Sequence, residues 1–247
     1  MEPSMTTSRR TLTPVSRETL QSRVYEQLKQ AISGGVFVPG EAVTLRRLAE
    51  SVGTSIMPVR EAVNRLIAEG ALDIMPNRTV IVPRMTSAKF EDLTRLRVMV
   101  EGEAALRACY RVTTEMLSEL EKINEEVLRH SKANEIHEAL KANRDFHFTI
   151  YAAAESEVLS RVIEMLWLQV GPFLLFSMNL PAARWTTKHH LDILRGLRSA
   201  DPVATQQAIV ADIKETAQQL LEIGVFAHSS SRTAEPAALS VESKVGR

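Results

Sequence analysis

Apolar side chains recur at helical spacing near the start of the chain. Four of them lie four residues apart: Leu20, Val24, Leu28 and Ile32. This spacing places them on one face of an amphipathic helix, which Ser33-Gly34-Gly35 is expected to end. Residues 1–15 and 228–247 lack such periodicity and are rich in small and polar residues, so both are expected to be flexible tails.

The pattern that follows predicts two further helices. A short one begins at Thr44 and ends at Gly53, and a longer one runs over residues 55–69 with its apolar side chains on one face. Thr54 or Ser55 is expected to cap the longer helix. Two helices joined by about four residues that include Gly form a helix-turn-helix.

Two short β-prone runs come next, Ala71–Met75 and Thr79–Pro83. Pro76-Asn77-Arg78 joins them with the composition of a turn, so the runs are expected to form a hairpin. A hairpin in this place is the wing of a winged helix-turn-helix. Residues 16–85 are therefore expected to form a DNA-binding domain of three helices and a two-stranded wing.

The rest of the chain has helical patterns only. They run from Thr86 to about Val225, with breaks near Val112-Thr113, Ser131-Lys132, Ser156, Pro181 and Asp201-Pro202. The longest apolar stretch, Met165–Phe176, is interrupted by polar residues and is too short to span a bilayer, so it is expected to be a buried, kinked helix. The fold class is thus mainly α, with an all-α helical bundle over residues 86–227.

Charge is distributed unevenly, although 30 basic and 30 acidic residues give a net charge of zero. Residues 1–85 carry 11 Lys and Arg against 8 Asp and Glu, so the basic excess lies at the winged end, where it would favour nucleic-acid phosphates. The single cysteine, Cys109, is expected to be a buried free thiol. The N-terminus has no apolar segment of a secretory signal, so we expect a cytoplasmic protein that does not bind membranes.

The N-terminal part resembles the signature of the GntR family of bacterial repressors. The matching residues include Tyr25-Glu26-Gln27-Leu28, Pro39-Gly40-Glu41, Leu48-Ala49-Glu50, Pro58-Val59-Arg60-Glu61-Ala62 and Glu69-Gly70. The helical remainder is similar to the FCD-type ligand-sensing domain of the FadR subfamily. The residues that carry this similarity are Arg97, Glu101, Phe146-His147 and His190. This resemblance implies a ligand-responsive transcription regulator, expected to be a repressor.

Several residues are candidates for contacting DNA. The second helix of a helix-turn-helix enters the major groove, and Arg60 on that helix can donate two hydrogen bonds to guanine. The resemblance adds Arg46, on the preceding helix. The remaining candidates are Thr54, Ser55 and Asn64, with Asn77 and Arg78 at the tip of the wing. The alternative is that these side chains form only the solvated face of amphipathic helices.

A metal site is expected in the helical domain. Asn143 and His147 lie four residues apart and share a helix face. The resemblance places His190 and Asp212 in the same pocket, and Asp212 stands where many members of the subfamily have a third histidine. Two imidazoles, a carboxylate and an amide oxygen can hold zinc, nickel, manganese or iron with open positions, although the preference for zinc is weakened. The alternatives are an ordinary core histidine at His147, partly solvated histidines at His189-His190 and an ordinary surface acid at Asp212.

A small organic acid is the expected effector, bound by the metal and by Arg97. The alternative for Arg97 is a surface ion pair with Glu101, and Trp167 is expected to belong to the core. We expect a homodimer that reads an inverted-repeat operator, with Glu91–Tyr110 and Glu115–Arg129 as candidate dimer surfaces.

In this interpretation, ligand binding changes the relative placement of the two winged domains. Two other classes of function are the alternatives: a metal-dependent enzyme that uses the His/Asp site, and a helical interaction module that does not bind DNA.

Overall fold

The computed structural model describes residues 20–75, 79–179 and 187–227. Its elements, in chain order, are α1 (Leu20–Ser33), β1 (Ala42–Val43), α2 (Leu45–Ser51), α3 (Ile56–Ala68), β2 (Asp73–Ile74), β3 (Val80–Ile81), α4 (Ser87–Cys109), α5 (Thr114–Lys132), α6 (Ile136–Ala152), α7 (Glu157–Asn179), α8 (Lys188–Arg198) and α9 (Pro202–Ile223). The fold is mainly helical, as the sequence predicts.

The first three helices and the small sheet share one apolar core, and we call residues 20–82 the winged unit. The apolar stripe predicted for α1 is buried from Val24 to Ile32. Gly35, with a φ of 68°, reverses the chain after α1, so that the amide of Val36 donates to the carbonyl of Ala31 over 2.9 Å. Gly53, also at positive φ, makes the turn between α2 and α3.

The sheet contains the predicted hairpin and one more strand. β2 pairs with β3 in antiparallel fashion, with Ile74 opposite Val80. β1 lies on the other side of β3, with Val43 opposite Val80, and the sequence did not predict it because two residues make no recognisable alternation. The paired strands are also shorter than the predicted runs. The turn that includes Asn77 and Arg78 lies outside the described residues.

Helices α4–α9 form the helical unit around a second, larger core. Within it α4 packs along α9, α5 along α6, and α8 along α9. The helix ends fall at the predicted breaks near residues 112, 131, 156 and 201, while the break near Pro181 lies in residues 180–186, outside the described part. Cys109 is buried and has a free thiol.

Helix α7 connects the two cores. It contains the long apolar stretch, and by length and composition residues Glu157–Met178 could cross a membrane, but more than half of this stretch is buried inside the protein. Leu168 belongs to the core of the winged unit, whereas its neighbour Trp167 belongs to the core of the helical unit. Pro172 lies inside the helix, which continues to Asn179.

Candidate functional site

The outer face of α3 is the candidate DNA-binding surface. Its inner residues, from Pro58 to Leu66, are buried in the winged unit. Arg60 and Asn64, one turn apart, are both exposed on the opposite side. Among the described residues Arg60 has no ion-pair partner, so its guanidinium is free to bind an external group.

The beginning of α3 and the helix before it add polar groups. Ser55 occupies the predicted N-cap position, but its hydroxyl makes no capping hydrogen bond, so amide groups of the first turn remain available for an anion. Thr54 is half-buried beside it. Arg46 on α2 is exposed and bonds Glu50 over 3.0 Å. Exposed pairs of this kind contribute at most about 1 kcal/mol, so a phosphate can compete for Arg46.

Arg65 has a structural role despite lying on the outer side of α3. Its guanidinium stacks on the ring of Tyr25 at 3.6 Å and bonds Glu69. The hydroxyl of Tyr25 donates to the same carboxylate over 2.7 Å. Burial and then this contact with Glu69 raise the pKa of Tyr25 above its usual value, so the phenol stays neutral. The three side chains tie α1 to the end of α3.

A cavity in the helical unit brings together the residues expected to bind metal and effector. We call it the sensor cavity. It is lined by Arg97, Leu140, Asn143, His147, Trp167, Leu174, Ser177, Met178, Asp212, Ile213 and Thr216. Its volume is about 20 Å³. A space of this size holds an ordered water or a metal ion, but no metabolite.

Three predicted ligands form a cluster at this cavity. One nitrogen each of His147 and His190 and one oxygen of Asp212 lie within 4.8 Å of one another. His147 and His190 are almost fully buried and Asp212 is half-buried. Asn143, one turn before His147 on α6, lines the same cavity.

The protonation states in the cluster suit a metal ion. Burial and the neighbouring His147 lower the pKa of the His190 imidazole to about 3, so this ring is neutral at pH 7. Burial by itself raises the pKa of Asp212, but the hydrogen bond and charge of His147 outweigh it and bring the pKa to about 2. Neutral imidazole and ionised carboxylate are the forms that coordinate metals.

The hydrogen bonds of His147 provide a second test of whether these residues fit a metal ion. Tyr151 donates its hydroxyl proton to Glu101 over 2.6 Å, so its oxygen can only accept from Nδ1 of His147, 3.3 Å away. When Nδ1 carries the proton, Nε2 of the neutral ring presents a lone pair to Oδ2 of Asp212 at 3.3 Å. A proton on Nε2 can bridge these two atoms, as in the pair that lowers the pKa of Asp212, and a divalent ion that displaces this proton can bridge them in the same way. Bonds of about 2.0 Å at a tetrahedral angle separate two ligands of zinc by about 3.3 Å. The residues present therefore fit a divalent ion.

Arg97 and Glu101 form a buried ion pair beside this cluster, where the alternative expectation was a surface pair. Nε and Nη2 of Arg97 donate to the two carboxylate oxygens over 2.6 and 3.3 Å. Glu101 is fully buried and also accepts from Tyr151 and from the indole of Trp167. Trp167 thus belongs to the core, as expected, and also lines the cavity. The carboxylate of Glu101 thus accepts hydrogen bonds from side chains of α4, α6 and α7 and holds these three helices together.

Sequence reasoning missed several members of this site. Tyr151 and Ser177 are polar residues on helix faces that otherwise read as apolar, and Thr216 lies one turn beyond Asp212. Asn124 on α5 accepts a hydrogen bond from Nδ1 of His190 over 2.9 Å, although 66 residues separate the two in the chain. The only available signal was a polar residue within a buried stripe, as at Asn124 between Leu120 and Val127.

The side of α7 that faces away from the sensor cavity contacts the winged unit. Glu164 pairs with the buried Lys29 over 3.0 Å, and Gln169 donates to the carbonyl of Glu69. At Gly171 the backbones of α7 and α1 meet: a Cβ on Gly171 would lie 2.7 Å from the Cα of Ser33. One helix therefore lines the sensor cavity and holds the winged unit.

Comparisons with known proteins agree with this architecture. The family model described as bacterial regulatory proteins, gntR family, matches residues 20–82, and the FCD domain model matches residues 92–215. The HTH-type transcriptional regulator McbR of Escherichia coli (strain K12) is 29% identical over 185 residues, covering 74% of this chain and 84% of that protein. The Nta operon transcriptional regulator of Aminobacter aminovorans is 27% identical over 197 residues, covering 76% of this chain and 88% of that protein.

Solved structures show the same fold. Escherichia coli McbR/YncC superposes with a TM-score of 0.77 at 26% identity, covering 83% of this chain and 98% of that one. A GntR transcriptional regulator from Rhodococcus sp. RHA1, at 20% identity, superposes with a TM-score of 0.67 and covers 82% of this chain and 97% of that one. The matching domains and relatives identify a regulator and exclude the reading of an enzyme. The chain belongs to the GntR family of bacterial regulatory proteins, as a transcription regulator of the FadR-like subfamily with a winged helix-turn-helix and an FCD domain.

Proposed function

We propose that this protein is a cytoplasmic repressor that binds an inverted-repeat operator as a homodimer and responds to a small organic acid held at a metal ion. The observation that carries this proposal is the double contact of α7. Trp167 on one side of the helix lines the sensor cavity, and Leu168 on the other side packs in the core of the winged unit. A change in the cavity is therefore transmitted to the DNA-binding surface.

The DNA-binding part of the proposal rests on the exposed side of α3. Arg60 and Asn64 read bases in the major groove, and Ser55 with Thr54 contacts phosphate at the start of the helix. Arg46 adds a phosphate or base contact from α2. Asn77 and Arg78 stay candidates for the wing contact from their place in the sequence. Exposure of Arg60 without an ion-pair partner among the described residues supports its role.

The metal part of the proposal rests on the donor set. Asn143, His147, His190 and Asp212 would hold a divalent ion such as zinc, nickel, manganese or iron, with positions left open. When bound, the ion supplies positive charge and a coordination position for an oxygen ligand. The carboxylate of Asp212 lines the cavity beside the guanidinium of Arg97, whose charge is already paired with the buried Glu101. An anionic effector is therefore attracted only when the cation is present.

Arg97 remains the proposed anchor of the effector carboxylate. Two of its donor groups hold Glu101, and a guanidinium has five N–H donors in all. The effector takes the remaining donors on the cavity side. This arrangement orients the acid between Arg97 and the ion.

The size of the cavity explains how the effector would act. A cavity of about 20 Å³ admits a metabolite only when its lining moves apart. Leu174, Ser177 and Met178 in that lining belong to α7, so opening of the cavity displaces the helix that holds the winged unit. The effector shifts the equilibrium by its preference for the open arrangement.

The experiment that tests the proposal combines DNA selection with a ligand screen. We expect binding-site selection with the purified protein to recover an inverted repeat. A thermal-shift screen of small carboxylic acids should give hits only when a divalent metal is present, and a hit should change the operator affinity in a fluorescence-anisotropy titration at fixed salt. Selection that enriches no DNA sequence would overturn the DNA-binding part of the proposal. Acids that bind equally well in the presence of a metal chelator would overturn the metal part.

A further inference from the structure

Asn124 is a buried polar residue that neither the DNA-binding surface nor the lining of the sensor cavity uses. It lies on α5, 4% exposed, in a stripe with the apolar Leu120 and Val127. An amide in such surroundings costs free energy unless it is hydrogen-bonded. Its side-chain oxygen lies 2.9 Å from Nδ1 of His190. The buried side-chain oxygen of Asn124 is therefore satisfied by this histidine.

The neighbours of His190 leave the ring little freedom. The ring of Phe146 stacks on it at a centroid distance of 4.1 Å and an interplanar angle of 11°. His147 meets it edge-on at 5.2 Å. Stacking fixes the plane of the imidazole, but it does not select which nitrogen carries the proton. That selection requires a hydrogen-bonding partner in the plane of the ring.

Asn124 supplies this partner. An amide oxygen only accepts, so a neutral His190 must carry its proton on Nδ1, and its lone pair is then on Nε2. Nε2 is the nitrogen left for the cluster with His147 and Asp212. His147 has the same arrangement, because the oxygen of Tyr151 accepts from its Nδ1. Both histidines thus present Nε2 to the same centre.

We propose that Asn124 is the positioning residue of the metal centre, which holds the proton of His190 on Nδ1 and thereby directs the Nε2 lone pair to the ion. This proposal rests on the metal site of the proposed function. It assigns the orientation of one metal ligand, His190, to a residue 66 positions from it in the chain. Outer groups that orient metal-ligating histidines typically change metal affinity by about 10–100-fold when removed.

The test compares three variants of the full-length protein by titration with Mn²⁺ and Zn²⁺. Asn124→Leu keeps the size of the side chain and removes the acceptor, so its metal affinity should fall by about 10–100-fold. Asn124→Asp retains an acceptor oxygen and should bind within about threefold of the wild type. Val127→Ala, on the same buried stripe of α5, disturbs packing and removes no hydrogen-bonding group, so it is the matched control.

A second readout concerns the metal-free protein. Nitrogen-15 chemical shifts of His190 at pH 7 should show the tautomer protonated at Nδ1 in the wild type and a mixture of tautomers in Asn124→Leu. This measurement on the wild type also decides the case in which Asn124→Leu fails to fold. A wild-type ring protonated at Nε2 would overturn the proposal.

The outcomes separate this proposal from the proposed function. A wild type that binds no divalent ion overturns the metal centre and the role of Asn124 with it. A wild type that binds metal, with Asn124→Leu binding equally well, overturns only the role of Asn124. Equal loss of affinity in Asn124→Leu and Val127→Ala at equal loss of thermal stability would show that Asn124 acts through packing alone.

Discussion

At the scale of single residues, the most specific prediction for DNA recognition is that Arg60 contacts a base. It lies on the exposed side of α3 and has no ion-pair partner among the described residues. We expect Arg60→Ala to lose about 1–3 kcal/mol of operator affinity, measured by anisotropy at fixed salt, because two hydrogen bonds to a base are removed. Arg60→Lys should recover little of this loss, since an ammonium group cannot bond a guanine edge with the same fork.

Arg161→Ala is the control for this change. Arg161 is also an exposed arginine, but it lies on α7 and pairs with Glu157. Removing it changes the net charge by the same amount, so a general electrostatic effect would appear in both variants. Similar losses in the two variants would show that Arg60 makes no contact with bases.

Asp212 sets the expected metal preference. It is the only carboxylate in the cluster with His147 and His190, and an oxygen donor in this place favours manganese or iron more than a third imidazole does. We expect Asp212→His to raise the affinity for Zn²⁺ relative to Mn²⁺ by at least about tenfold, measured by competition with a chromophoric chelator. Asp145→Asn, on the exposed side of α6, is the control and should leave the ratio unchanged.

The sequence predicted the residues with the strongest individual signals but not the partners that hold them. His147 and Asn143 follow from helical spacing, and His190 and Asp212 from the family pattern. Glu101, Tyr151 and Trp167 meet only because α4, α6 and α7 pack together, and no periodicity in one helix encodes a contact with another. Burial of the Arg97–Glu101 pair has the same origin.

At the scale of elements, helices were predictable and the sheet was predictable only in part. Each helix has an apolar stripe and a clear break, so its ends follow from local chemistry, as at Asp201, whose side chain accepts from the amide of Ala204. β1 depends instead on pairing with β3, some 37 residues later in the chain. Local sequence does not encode such a pairing when the strand has two residues.

Helix α7 is the proposed coupling element, and at Gly171 its backbone lies against the backbone of α1. We expect Gly171→Ala to push α7 away from the end of α1, because the new methyl group would meet the backbone of Ser33 at 2.7 Å. The variant should lose about 1–3 kcal/mol of unfolding free energy from overpacking. Its operator affinity should respond less to metal and effector, measured by anisotropy in parallel with denaturant unfolding.

Gly102→Ala on α4 is the matched control for this variant. The atoms nearest to a Cβ at Gly102 would be side-chain atoms of Val210 and Gln206, at 3.2 Å or more, and not backbone atoms. We expect normal coupling between effector and operator in this control. If Gly171→Ala retained the full response of DNA binding to the effector, the route through α7 would be wrong.

At the scale of the whole molecule, one chain offers a single recognition helix, so an inverted repeat requires two chains. The outer side of α4, within the surface Glu91–Tyr110, carries apolar residues that no other described residue of the chain covers. Leu96 is 49% exposed and Met99 is 69% exposed, one turn apart on the same face. This patch is the proposed centre of the dimer interface, because burying it between two copies removes apolar area from water.

We expect Met99→Glu to weaken the dimer, because two carboxylates would have to be buried close to the twofold axis. The mass from light scattering should shift from dimer toward monomer, and affinity for the full operator should fall by at least about 100-fold as the linkage between half-sites is lost. Metal affinity should be unchanged, since Met99 does not line the sensor cavity. Val158→Glu, at a 74% exposed apolar position on α7, should stay dimeric and bind the operator normally. A dimeric Met99→Glu variant with full operator affinity would place the interface on another surface, with α5 the next to be tested by the same pair of measurements.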